Sequence, residues 1–204
     1  MKRPAGAVIM GGRSTRMGED KALLVDPVTR EPFWRLQVER LRSIDLDPVL
    51  VSTHSRRGLP GVEELPDRFS DCGPMGGLVT CLASDRVGSW LVVLAVDLPG
   101  VEAPLLQRLI DEAGPYGAIY ERDGRFEPLV ACYHRDLLPA LEGRLARGDF
   151  RLQSWISAEV ASGRIKRLVL SPDASHRLAN LNTTGDYEAY CQWRKRSQWI
   201  EEKS

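Results

Sequence analysis

Short runs of Val, Ile and Leu alternate along this chain with longer stretches in which apolar residues recur at helical spacing. Ala5–Met10, Val49–Thr53 and Trp90–Val96 read as buried strands. Between them the pattern predicts helices. One spans Phe33–Ile44, with Trp34, Val38, Leu41 and Ile44 on one face. A second, Gly76–Ala83, follows a Gly-Pro turn, and a third, Ala103–Glu112, has Pro104 in its first turn. Further on, Ala118–Glu121 and Leu129–Tyr133 read as a strand pair around the polar loop Arg122–Glu127. Asp136–Arg147 reads as a helix capped by Asp136, Leu152–Ala161 as another helix, and Ile165–Leu170 as a late strand. A terminal helix, Thr184–Arg194, carries Tyr187, Tyr190 and Trp193, with a frayed tail over 196–204.

The β-α-β-α rhythm of the first half predicts an α/β fold with a mostly parallel central sheet and helices on both faces. The later strand pair predicts a small antiparallel addition. No internal repeat or low-complexity linker divides the chain, and 204 residues suit one domain.

Charge narrows the functions available. Lys plus Arg and Asp plus Glu are both 28, so the formal net charge is zero, unlike that of a protein that coats nucleic acid. No apolar run approaches the roughly 20 residues of a membrane span, and the short apolar start ends at Gly11-Gly12-Arg13 without a cleavage-like site. Cys72, Cys81, Cys132 and Cys191 form neither a CxxC pair nor a zinc spacing, so reduced thiols in a cytoplasmic protein are expected.

In such a sheet, ligands bind beyond the carboxyl ends of the strands. The segment after the first strand runs from Gly11 to Lys21, with Gly11, Gly12 and Gly18 among Arg13, Arg16 and Lys21. Glycine lets backbone N–H groups approach phosphate oxygens, and arginine pairs with phosphate through two donors. A Walker A loop does not fit, because five residues separate Gly12 from Gly18 and Glu19 follows. The G-x-G-x-x-G fingerprint is absent, as is the final glycine of a nucleophile elbow. A solvated Gly-rich turn is the competing reading.

Trp90–Val96 delivers Asp97 to the same edge. Its carboxylate suits Mg²⁺, or else it caps the following helix. Asn180 and Asn182, two apart on an extended segment, point the same way and reach one site, or they form an Asx turn before the last helix. The glycines of Gly73–Gly77 permit close approach to a nucleoside, or serve packing.

Taken in order, Ile9-Met10-Gly11-Gly12, Ser14, Arg16-Met17-Gly18 and Asp20–Leu24 resemble the signature of the MobA-type molybdenum cofactor guanylyltransferases. Asp67, Gly73–Gly77, Val96–Pro99, Glu127–Leu129, Gly148–Arg151 and Asn180–Thr183 extend the resemblance over almost the whole chain. It implies a Rossmann-like nucleotide-diphospho-sugar transferase fold. The implied activity is transfer of GMP from GTP to the terminal phosphate of molybdopterin, with Mg²⁺ as cofactor.

By position, the resemblance implies that Ile9, Met10, Gly11 and Gly12 bind the nucleotide, joined by Gly76. Asp67 reads guanine, Lys21 contacts phosphate, and Arg16 and Lys21 stabilise the leaving pyrophosphate. Asp97 holds Mg²⁺, with Asn182 as a second ligand or beside it. Arg151, Asn180 and Asn182 meet the acceptor. Residues 1–100 then form mainly the nucleotide half and 101–195 mainly the acceptor half. Proteins that deliver the cofactor or mature molybdoenzymes are the expected partners. Two positions depart from the family pattern. Ser52 stands where asparagine commonly touches the nucleotide, and Thr184-Gly185 replaces the commoner Pro-Glu. The first leaves a cytidylyltransferase, or a transferase for another small phosphate, as the alternative. A non-catalytic nucleotide sensor is the rival from another class.

Overall fold

Alternation along β1 (Ala5–Ile9) divides the interior into two layers. Ala5, Ala7 and Ile9 face one core and Val8 and Met10 the other. The chain is described from a computed structural model that covers residues 3–10, 20–69, 71–170, 174 and 176–201. β2 (Val49–Thr53) and β4 (Trp90–Ala95) flank β1 in parallel, and β3 (Glu63–Pro66) pairs with β2 at the sheet edge. β1 and β2 are buried along their whole length, as is β4 beyond Trp90. Burial on both faces explains why these strands read as unbroken apolar runs.

Helices α1 (Phe33–Ser43), α3 (Ala103–Asp111) and α6 (Thr184–Glu201) cover one face, and α2 (Pro74–Leu82), α4 (Leu138–Ala146) and α5 (Leu152–Ala161) cover the other. With β5 (Gly117–Arg122), β6 (Arg125–His134) and β7 (Lys166–Val169), the strand order is β3-β2-β1-β4-β6-β5-β7. β6 is antiparallel to both of its neighbours, and every other pairing is parallel. Two consequences place the site. The chain leaves β1 for β2 on one side and returns to β4 on the other, which opens a crevice where both strands end. Because β6 runs backwards, its beginning, near Glu127, lies at that same edge.

Several boundaries differ from the sequence reading. β3 carries no strand signal in the sequence: Glu63-Glu64-Leu65-Pro66 is charged and short, as a protected edge strand is. The helix expected over Asp136–Arg147 begins at Leu138 after a 3₁₀ turn at Arg135–Leu137, and Asp136 does not cap it. Instead the Asp136 amide donates to His134 Nδ1 at 3.3 Å, and Pro139 favours a helix start because it has no N–H to satisfy. α2 starts at Pro74, two residues early, for the same reason. α6 continues to Glu201, so the tail does not fray at 196; residues 202–204 lie outside the described part. Cys81, Cys132 and Cys191 are free thiols.

One buried polar group fastens α6 to the segment that leads out of the glycine loop. Asp26 is fully buried and accepts from the amides of Val28 (3.0 Å) and Thr29 (2.8 Å), from the Tyr190 hydroxyl and from Arg194 Nε at 3.3 Å. Tyr187 adds a bond to the Val25 carbonyl at 2.8 Å, and Phe33 meets both tyrosine rings edge-on. Burial pushes the Asp26 carboxyl up, but the bonds from Thr29, Tyr190 and Val28 and the Arg194 charge outweigh it, holding its pKa below the usual range. Stability from such a group is present above its unfolded pKa and disappears as pH falls through the folded one. Asp26→Asn is therefore expected to cost about 3 kcal/mol at neutral pH. The difference from wild type in urea unfolding should shrink in acid, once the wild-type carboxylate is protonated.

Candidate functional site

Lys21 is brought to the crevice by a short 3₁₀ turn, Lys21–Leu23, whose cap is Asp20: its Oδ1 accepts the Ala22 amide at 3.0 Å. From there the Lys21 ammonium donates to Asn182 Oδ1 at 2.7 Å and lies 3.3 Å from Asp97 Oδ2. The lysine and aspartate side chains are 16% and 26% exposed, enough for a ligand to reach both. The Lys21–Asp97–Asn182 cluster joins residues 76 and 161 positions apart in the chain.

Neither Asp97 nor the asparagine pair takes the capping role that was the alternative for each. Asp97 does not cap α3; its carboxylate turns to Lys21, while its carbonyl accepts the Leu181 amide at 2.9 Å. α6 is capped reciprocally by Thr183 and Asp186: Thr183 Oγ1 accepts the Asp186 amide at 3.1 Å, and Asp186 Oδ2 accepts the amides of Asn182 and Thr183 at 2.8 Å. The Asn182 amide side chain is thus left for Lys21. Asn180 lies instead on the wall of a neighbouring cleft, so the two asparagines serve adjoining places.

At the end of β2, buried Ser52 donates to Asp67, and the Ser52 carbonyl accepts the Met10 amide at 3.0 Å. Burial pushes the Asp67 pKa up, against the Ser52 hydrogen bond and the His54 charge. A Cβ added at Gly77 would sit 2.7 Å from Ser52 Oγ, 3.3 Å from Ile9 Cγ2 and 3.5 Å from Asp67 Oδ1. Gly77 is therefore the residue beneath the pair. Gly76, named from the sequence, packs instead on the Phe69 carbonyl, which its Cβ would approach to 3.1 Å. Gly11, Gly12 and Arg16 lie outside the described residues; Ile9 and Met10 lead into that segment from β1.

Beside Asp97, a cleft of about 510 Å³ opens between the end of β4 and the start of α5, with apolar walls that include Leu98, Leu129 and Phe150. Arg151 reaches its rim, ion-paired with Asp149 at 2.9 Å.

Other contributors escaped the sequence reading. Gln37 is buried on the face of α1 that carries Trp34, Val38 and Leu41, and its Nε2 donates to the Ala95 (3.0 Å) and Leu98 (2.9 Å) carbonyls on either side of Asp97. A polar residue at core spacing was its available signal. Glu64 accepts the Arg57 and Leu59 amides, both at 2.7 Å, and the Arg57 guanidinium pairs with Asp20. This chain of contacts steadies the Lys21 turn from the sheet edge, and β3 had to be known before it could be seen. Glu127 lines the cleft with its side chain 14% exposed, paired with Arg122 at 3.3 Å. Burial raises its pKa against the Arg122 charge, and the like charge of Asp97 adds to the rise.

Among the described residues, no group of three or more His, Cys, Asp or Glu is placed to hold a metal. No helix among them is long and apolar enough to cross a membrane.

The family described as MobA-like NTP transferase domain matches residues 6–164. A probable molybdenum cofactor guanylyltransferase of Opitutus terrae is 35% identical over 89% of this chain and 92% of its own. The molybdenum cofactor guanylyltransferase of Serratia proteamaculans is 32% identical over 89% and 90%. Among solved structures, a nucleotidyl transferase from Methanothermobacter thermautotroptrophicus superposes with a TM-score of 0.76 over 97% of this chain and 100% of its own, at 20% identity. Molybdopterin-guanine dinucleotide biosynthesis protein A from Archaeoglobus fulgidus gives 0.72 over 94% and 99%, at 17% identity. These two share the fold described above.

Gly77→Ala is expected to displace the Ser52–Asp67 pair and to cost about 1–3 kcal/mol by overpacking. A thermal melt beside Gly148→Ala, where nothing lies within 4 Å of the added carbon, separates crowding from backbone strain at that control's positive φ.

Proposed function

We propose that this chain, which belongs to the MobA-like NTP transferase family, transfers GMP from GTP to the terminal phosphate of molybdopterin, forming the guanine dinucleotide cofactor and releasing pyrophosphate. The names of its relatives support the nucleotide and the acceptor. The observation that carries the chemistry is the Lys21 ammonium shared between Asp97 and Asn182 at the β1–β4 crevice.

The reaction brings two anions together, so neutralising charge is the main task of the site. An ionised phosphate oxygen of the acceptor attacks the α-phosphorus of GTP in line. The new O–P bond forms as the bond to the β-phosphate oxygen breaks, and the electron pair leaves with pyrophosphate. The nucleophile is already ionised at neutral pH, so no general base is needed. Lys21 and Arg16 stabilise charge on the leaving group, and the backbone of Ile9–Gly12 holds the nucleotide. Asp67, oriented by Ser52 above Gly77, accepts from guanine N1–H and N2–H₂, a donor pair that cytosine lacks. Arg151 and Asn180, on the adjoining cleft, meet the acceptor.

Mg²⁺ fits the donor set: Asp97 Oδ2 and Asn182 Oδ1 are hard oxygen atoms that converge on a cation, Lys21 Nζ. Bound there with phosphate oxygens, the ion would supply further charge neutralisation. The whole chain acts as one domain, residues 1–100 mainly on the nucleotide and 101–195 mainly on the acceptor. It works in the cytoplasm and exchanges cofactor with delivery or molybdoenzyme-maturation proteins.

Pyrophosphate release measured with molybdopterin cofactor and GTP, or with CTP in its place, tests the assignment. Release with GTP alone is expected, and preference for CTP would overturn the guanine reading. Asp97→Ala should lower turnover by about 10²–10³ with the melting temperature little changed; near-normal Mg²⁺-dependent activity would remove Asp97 from the site.

The base reading has its own test. Only ionised Asp67 accepts both guanine donors, and its pKa lies above the usual carboxylate value. The KM for GTP should climb as pH falls through that raised value. Asp67→Asn should raise KM about tenfold or more and flatten the pH profile. A wild-type KM with no acid limb would count against it.

A further inference from the structure

Glu127 has no part in the phosphate chemistry or the base reading set out above, yet it is a poorly exposed carboxylate on the wall of an otherwise largely apolar cleft. Its place follows from the topology. β6 runs against its neighbours, so Glu127 sits near its start, at the edge where β4 ends, and lines the cleft with Leu129 and the first turn of α5. Further along the strand the side chains are core; at Glu127 the cleft begins.

We propose that Glu127 reads the acceptor: its carboxylate takes the N–H donors on the 2-amino-4-oxo edge of the pterin, whose ring lies against Phe150. The inference rests on the proposed function in taking the acceptor to be a pterin.

Three features support it. Position comes first, since Leu98 and Asn180 line the same cleft and flank the Asp97 cluster. An acceptor with its phosphate at the Asp97 end has its ring further along, toward Glu127. Chemistry comes second. Adjacent N–H and NH₂ donors on a flat ring match the two oxygens of a carboxylate, and Phe150 is an exposed aromatic at the cleft wall, 39% accessible, able to stack a heterocycle. Rigidity comes third. Gln153 Nε2 donates to the Phe126 carbonyl at 2.6 Å, and its Oε1 accepts the Phe126 amide at 3.3 Å. These two hydrogen bonds tie the first turn of α5 to the start of β6, next to Phe150 and Glu127. The Arg122 pair opposes, without cancelling, the upward push that burial gives the carboxyl.

The test uses free pterin and lumazine, which differ at one position: lumazine carries a carbonyl where pterin carries the 2-amino group. Wild-type protein is expected to bind pterin about tenfold more tightly than lumazine in a fluorescence titration. Glu127→Gln should bring the two within about twofold, because one donor then faces a carboxamide NH₂ in place of an oxygen. GTP affinity should be unchanged. In turnover the acceptor KM should rise about tenfold while kcat changes less. Phe150→Ala, at an exposed position that keeps the fold, should weaken both rings alike. Equal binding of pterin and lumazine by wild type overturns the proposal, as does a ratio that survives Glu127→Gln. Loss of Mg²⁺-GTP affinity in Glu127→Gln also overturns it, by assigning the carboxylate to the nucleotide or metal. If wild type releases no pyrophosphate from GTP with the cofactor, the proposed function fails, and the pterin–lumazine ratio judges Glu127 by itself.

Discussion

A single ammonium group holds the reactive edge of this protein together. Lys21 is bonded at once to the carboxylate that follows β4 and to the amide that precedes α6, so three remote segments converge on one cation. Asp97 is partly screened from water and Asn182 is exposed, so the lysine orders the two oxygen donors more than it compensates their burial. The arrangement is also primed for a ligand. Two oxygen donors that face a cation suit a metal ion as well as an ammonium, and a lysine released from them is free to meet phosphate.

The rest of the fold can be read as the scaffold for that junction. Behind Asp97, Gln37 satisfies the carbonyls on both sides of its turn. Before Lys21, Asp20 caps its turn, Arg57 pairs with Asp20, and Glu64 binds the backbone that carries Arg57. Beyond Asn182, the Thr183–Asp186 cap starts α6, and Tyr187, Tyr190 and Arg194 fasten that helix to Val25 and Asp26. α6 thus clamps the segment just after Lys21, which links the C-terminal end of the chain to the precision of the site.

The cleft proposed for the acceptor is built differently. Where the Lys21 crevice relies on strand ends and tight turns, this cleft has largely apolar walls, with polar groups that include Arg151 at the rim, Asn180 toward Asp97, and Glu127 on β6. The reversed direction of β6 is what makes this possible. A parallel strand in that place would present its end, and a loop, at the site edge. β6 presents its beginning, where its register with β5 shifts between Phe126 and Ala131.

The sequence by itself determined the strands that are buried on both faces, the helices with a clear apolar stripe, Lys21 at the end of a glycine-rich segment, Asp97 after an apolar run and Asn182 before the last helix; Asp67 was legible only through the family resemblance. These signals are local: a period of two or 3.6, or a carboxylate after an apolar run, survives without knowledge of neighbours. Only the tertiary structure decided what depends on contacts between distant residues. The short charged strand β3 gains its identity from pairing with β2. Gly77 is distinguished from Gly76 by which of them faces Ser52 and Asp67. Asn182 is separated from Asn180 by the cap that Thr183 and Asp186 form, and Glu127 is placed in the cleft by the direction in which β6 happens to run.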